Sequence, residues 1–207
     1  MSAKRQTALA ELLKEGKVWR GADSEQAQLS SVSSDFPELD EQLGGGWPQG
    51  ALTEILSQQG QGLSLLLPLL ANLSRGQQWL TWVNPPYLPY APALAARQVD
   101  VSRLLLVRAK DAPQSLWAAE QALRSGNCAL VMLWVDKVSS GHIRRLQLAA
   151  EENNSMAMLF RPLRCRQQSS VAALRLEVAP VEEGLRVKIL KRRSGWGGKT
   201  LQLSCSG

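Results

Sequence analysis

The run Glu54-Ile55-Leu56-Ser57-Gln58-Gln59-Gly60-Gln61-Gly62-Leu63-Ser64 passes from an apolar strand, through two glycines, into a leucine-rich segment of helical length. Ala51–Leu56 reads as the strand and Leu63–Leu73 as the helix. In a parallel α/β sheet this is where a phosphate-binding loop belongs, because the helix N-terminus presents free amides to an anion. A working loop has the pattern G-x-x-x-x-G-K-[ST]. Here the corresponding positions hold Ser57, Gly62, Leu63 and Ser64, with Gly60 inside the loop. The second glycine and the hydroxyl are present, but the first glycine and the lysine are not. Leucine cannot supply the point charge that lysine places on the β- and γ-phosphates. Between Gly21 and Ala96 the one cationic side chain is Arg75. At 1.5 Å per residue it lies about 18 Å away, at the far end of the helix. Ser57, Gly60, Gly62, Leu63 and Ser64 therefore read as a vestigial loop, with no bound nucleotide or other cofactor expected.

Outward from this loop, strands and helices alternate. Strands are expected at Trp79–Val83, Leu104–Val107, Ala129–Val135 and Met156–Phe160. Helices are expected at Pro89–Arg97, Ser115–Arg124 and His142–Glu152. Strands that are apolar throughout imply a mostly parallel sheet with helices on both faces. After Ser170 three short segments, Ala172–Val178, Leu185–Leu190 and Thr200–Leu203, are joined by glycine-containing turns and predict an antiparallel C-terminal extension. Two domains of the chain are expected: residues 1–34, a short helix and a polar linker, and residues 35–207, the α/β unit. The N-terminal helix, Ala3–Glu15, places Leu9, Leu12 and Leu13 on one side. With Trp19 they are candidates for docking, on this domain or on a partner, because so short a helix does not stand alone in water.

Composition narrows the function. The chain carries three cysteines, widely spaced, and one histidine, so neither a metal centre nor a histidine-based triad is expected. No apolar run reaches membrane-spanning length and residues 1–30 lack a signal-peptide core, which predicts a cytoplasmic protein without membrane contact. Residues 161–207 hold ten Lys/Arg against three Glu, while the first 160 hold fourteen basic and fifteen acidic residues. All excess positive charge thus sits in the last quarter. It reads either as a solvated basic edge or as a polyanion surface. For the second reading the candidates are Arg161, Arg164, Arg166, Lys191, Arg192, Arg193 and Lys199, with Trp196 as a stacking platform for single-stranded DNA. Pro85-Pro86-Tyr87-Leu88-Pro89-Tyr90 is a stiff segment that either covers the vestigial loop or engages a partner. Trp79, Trp82, Trp117 and Trp134 fall on strands or helices and are expected in the core.

Three family resemblances follow. Phe36-Pro37-Glu38-Leu39-Asp40, Gly44-Gly45-Gly46-Trp47-Pro48-Gln49-Gly50 and the Thr53-Glu54-Ile55 strand resemble the approach to the phosphate loop of the RecA recombinases. Leu123-Arg124-Ser125-Gly126 and the basic strand Leu185–Lys191 continue the likeness. Carried over position by position, RecA's activating glutamate falls near Pro85 or Pro86, its magnesium-associated aspartate at about Trp134, and its γ-phosphate sensor at about Pro162. The resemblance thus implies a RecA-like fold that is not an enzyme. Gly44–Pro48, Asn84–Leu94, Leu116–Gly126 and Arg144–Glu152 are similar to the ImuA family of translesion-synthesis accessory proteins, over about Val18–Lys191. That likeness implies a non-catalytic SOS adaptor in error-prone translesion synthesis. Its partners would be ImuB, an inactive Y-family polymerase relative, and through it the sliding clamp and an error-prone polymerase, with RecA and single-stranded DNA as further contacts. The chain also resembles the SulA family, mainly over Leu63–Pro162, which implies instead an SOS-induced division inhibitor that binds the tubulin-like FtsZ. The glycine-tryptophan approach and the basic terminal strands favour the adaptor.

Overall fold

The computed structural model describes residues 30–58, 60–193 and 198–204. The expected N-terminal helix with Leu9, Leu12, Leu13 and Trp19, and also Trp196, lie outside them. Ten strands are described: β1 (Ser31–Val32), β2 (Trp47–Pro48), β3 (Leu52–Ser57), β4 (Trp79–Val83), β5 (Leu104–Val107), β6 (Cys128–Trp134), β7 (Met156–Pro162), β8 (Leu174–Val181), β9 (Gly184–Arg192) and β10 (Thr200–Leu203). The α-helices are α1 (Pro37–Leu43), α2 (Leu67–Ser74), α3 (Ala91–Ala96), α4 (Ala112–Arg124) and α5 (Ser140–Glu152).

Eight strands form one sheet in the order β10-β9-β8-β3-β7-β6-β4-β5. From β8 to β5 every neighbouring pair is parallel; β8–β9 and β9–β10 are antiparallel. The protein is a mixed α/β fold around a mostly parallel sheet, as the alternation predicts. Strand periodicity sorts the core into two layers. Met156, Met158 and Phe160 of β7 join Leu130 and Met132 of β6, packing with Leu66, Leu69 and Leu70 on one face. The intervening Ala157, Leu159, Val131 and Leu133 pack with Leu116, Leu123, Ile143 and Leu146 of α4 and α5 on the other. Asp111 caps α4 by accepting from the Gln114 amide at 2.8 Å, and Ser139 caps α5 through the His142 amide.

Two local features differ from the sequence expectation. Residues 30–34, placed in the polar linker, are held to the domain: β1 pairs with β2, and Asp40 of α1 accepts from Ser33 Oγ at 2.6 Å and the Ser34 amide at 2.9 Å. The turn this demands explains Gly46, where a Cβ would come within 2.2 Å of the Val32 carbonyl oxygen. The expected helix Leu63–Leu73 begins as a 3-10 turn over Leu63–Leu66 and becomes α-helical at Leu67. Pro68 is the reason, since it has no amide to give to the carbonyl four residues back. No helix among the described residues is long and apolar enough to cross a membrane.

Candidate functional site

The vestigial loop leaves the carboxyl end of β3, where ligands of open α/β sheets bind. Ser57 is fully buried and its Oγ has no hydrogen-bond partner. Gly60 (φ +73°) and Gly62 (φ +109°) both use left-handed backbone. At Gly60 an added Cβ would lie 2.9 Å from Trp134 Cδ1 and 3.1 Å from Pro86 Cγ; at Gly62 it would lie 3.2 Å from Val178 Cγ1. Space that an active loop keeps for phosphate oxygens is thus lined by an indole, a pyrrolidine ring and a valine. Behind it, Trp134 stacks on Phe160 at 4.6 Å and meets Trp82 at 5.8 Å, tilted by 52°. Leu63 and Ser64, inside the 3-10 turn, present no α-helical N-terminus to the loop. Arg75 donates to Gln98 and takes no part.

Pro85 is buried, while Tyr87, Leu88 and Tyr90 stand 70%, 73% and 72% exposed, a contiguous apolar tip. The segment covers the loop, as one of the two readings above has it: Pro86 closes over Gly60, while the three larger side chains are exposed. Asn84 fixes the base of the tip by accepting from the Ala109 amide at 2.8 Å and donating to the Ala109 carbonyl at 3.1 Å. This brings exposed Arg108 and Lys110 beside it. Edge strand β5 adds the exposed side chains of Leu105 and Leu106. Among the tryptophans Trp82 is buried as expected, but Trp117 is 66% exposed on α4 and Trp79 is also exposed. At Trp117 the helix repeat turns outward between the buried Leu116 and Ala119.

The basic candidates are not a free stripe. Arg161 is buried, donating to Glu54 at 2.8 Å and to Gln168 at 2.8 Å. Arg164 pairs with Asp136 at 2.9 Å, Arg166 with Glu177 at 3.1 Å and Arg193 with Glu151 at 3.3 Å. Lys191 donates to the Ser170 carbonyl at 2.8 Å and Arg192 to that of Gln42 at 2.6 Å. Burial, then the nearby Arg175 and Arg193, lowers the Lys191 pKa, with Glu54 opposing. Lys199 alone of the described candidates is simply exposed. Charge counting missed what these cations meet: Glu54, fully buried, also takes Arg175 Nε at 2.6 Å.

The model of the SulA cell-division-inhibitor family matches residues 50–157, just over half of the chain. The chain belongs to the SulA family. SulA of Edwardsiella piscicida is 35% identical over 112 residues, covering 54% of this chain and 64% of that protein. The SulA of Yersinia pestis (strain Pestoides F) is 29% identical over 116 residues, covering 55% and 69%. A crystal structure of SulA from Pseudomonas aeruginosa aligns with TM-score 0.46 and 30% identity over 53% of this chain and 97% of that one. The chain therefore spans just under two thirds of the Edwardsiella relative's length.

These matches correct the ImuA and RecA resemblances, and with them the translesion adaptor and its partners ImuB, clamp, polymerase, RecA and single-stranded DNA. The stretches that carried the ImuA likeness have local causes. Gly44 closes α1, Gly45 and Gly46 pass close against Ser31 and Val32 of β1, and Leu116–Arg124 and Arg144–Glu152 are helix segments, both within the SulA match. Most of the basic candidates have intramolecular partners, so they do not form a continuous free stripe.

Proposed function

We propose that this chain is a non-catalytic, SOS-type inhibitor of cell division that acts by binding FtsZ. The SulA match over residues 50–157 carries the reading, and it encloses both the obstructed loop and the apolar tip. The strand–glycine loop at the carboxyl end of a parallel sheet supports descent from a nucleotide-binding α/β ancestor, with Trp134 and Pro86 in place of ligand. Tyr87, Leu88 and Tyr90, held by Asn84 and flanked by Arg108 and Lys110, form the surface offered to the partner. Stiff, exposed aromatic side chains gain contact area at little entropic cost, as interface anchors do. The test is twofold: expression should produce filamentous cells, and purified protein should suppress FtsZ sedimentation. Tyr87→Ala, Leu88→Ser and Tyr90→Ala together should abolish both effects without lowering the melting temperature. Normal division together with unaffected sedimentation by the wild-type chain would refute the reading.

A further inference from the structure

A second groove, of about 490 Å³, opens at the carboxyl ends of β6 and β7 between the N-termini of α4 and α5. Its floor includes Arg161, and Lys137, Ser139, His142 and Arg164 line it. Beneath lies a charge imbalance. The single carboxylate of Glu54 faces two guanidinium groups, those of Arg161 and Arg175, and the exposures of the three side chains are 0%, 2% and 8%. One buried positive charge is therefore uncompensated by any carboxylate of the triad, an arrangement that is costly in a low-dielectric interior. Arg175 also donates to the carbonyls of Cys165 and Arg166. Arg161 has no such outlet. Its Nη2 meets only the amide oxygen of the exposed Gln168, and its Nε is buried without a hydrogen-bond partner.

The surroundings favour an anion. Two thirteen-residue helices begin at the groove; the Asp111 carboxylate already caps α4, whereas α5, capped by the neutral Ser139, brings an uncompensated positive dipole end there. Lys137 is exposed at the rim, and Asp136, the one carboxylate lining the groove, is paired with Arg164. Ser139 Oγ is 2.7 Å from His142 Nδ1, a polar pair also on the wall.

We propose that this groove binds a phosphate-type oxyanion, with Arg161 as its floor and Lys137 and Arg164 at its mouth. The Gln168 amide oxygen holds the place on the guanidinium that an anion oxygen would take. The groove adjoins the pocket beside the vestigial loop, sharing Asp136 and Arg161 with it, but its anion-binding groups lie on the α4–α5 side, and it does not depend on the FtsZ reading.

The test uses the whole chain. Inorganic phosphate is titrated against sodium chloride at constant ionic strength, following thermal unfolding and the ³¹P line width. Adenosine monophosphate and adenosine form parallel arms. Saturable stabilisation by phosphate supports free phosphate as ligand; tighter binding of the monophosphate, with none of adenosine, supports a phosphoryl group on a larger molecule. Arg161→Gln should abolish binding, but it also breaks the buried triad. The surface variant Lys137→Ala with Arg164→Ala therefore carries the decision: affinity should fall at least about tenfold while the anion-free melting temperature stays unchanged. No saturable response to either phosphorylated probe, or an unchanged affinity in the double variant, overturns the proposal.

Discussion

Trp134 Cδ1 lies 2.9 Å from the point where a Cβ on Gly60 would sit, so the end of β6 and the loop after β3 have been fitted to one another. The indole ring continues into a stack with Phe160 at 4.6 Å, which makes the loop part of the core's edge. The predictions begin from that contact.

Gly60→Ala should destabilise the fold by about 1–3 kcal/mol, combining left-handed backbone with a close approach. Denaturant unfolding measures the loss. Combining it with Trp134→Ala should cost less than the sum of the two single losses, because removing the indole relieves the clash that the new methyl makes. Strict additivity would mean that the two residues do not press on each other.

Neither ATP turnover nor its gain by a single substitution is expected. Phosphate release with magnesium should stay at background for the wild type and for Leu63→Lys. The lysine would sit in a 3-10 turn, facing a loop lined by Trp134 and Pro86. Magnesium-dependent turnover lost on Ser64→Ala would defeat this view.

Glu54→Gln should destabilise by about 3–5 kcal/mol, because it leaves two buried guanidinium groups without a carboxylate. Replacing the whole triad with apolar residues of similar volume, Glu54→Leu, Arg161→Met and Arg175→Leu, should be close to neutral or stabilising. Chemical denaturation of both variants checks the contrast.

Lys191 gives the pH dependence. Its folded pKa lies below the 10.5 of an ordinary lysine, because burial and then Arg175 disfavour the ammonium. In the window between that lowered value and 10.5 the unfolded chain binds more protons, so the contribution of Lys191 to stability rises with pH there. Lys191→Met should therefore be relatively favourable at neutral pH, apart from the lost bond to Ser170, and lose that advantage as pH climbs towards 10.5. Melting temperatures of both proteins across the alkaline range decide it; a gap that widens with pH contradicts the sign.

Periodicity in the sequence was enough to place β4, β5 and β10, whose bounds match the expected segments, and to order helices between strands. Helix α1 is absent from the expected elements although its signals are local: Pro37 in the first turn, Glu38 and Asp40 beside it, and Gly44 in left-handed conformation after its end. Pro68 was equally readable as the break within the leucine-rich helix. Other features have no local signature. Arg161 looks like one more cation in a basic stretch until the sheet sets it against Glu54, 107 positions earlier. Trp117 reads as core by residue type, and only the packing of α4 on its neighbours reveals which way it faces. The glycine-rich approach misled for a related reason: a steric demand of one turn resembles a family mark when its partner, Val32, is not in view.

The sheet order has a bearing on biogenesis. The family match ends at Ala157, within β7, yet β3 becomes an interior strand only when β8 pairs along it from Leu174 onward. Until β7 and β8, with Arg161 and Arg175, have been synthesised, Glu54 has no counter-charge and both sides of β3 present unpaired backbone. A fragment of this chain cut at 50–157 should therefore emerge as an open-edged, aggregation-prone species. In the growing polypeptide, the first half of the sheet has to wait for the second before it can close.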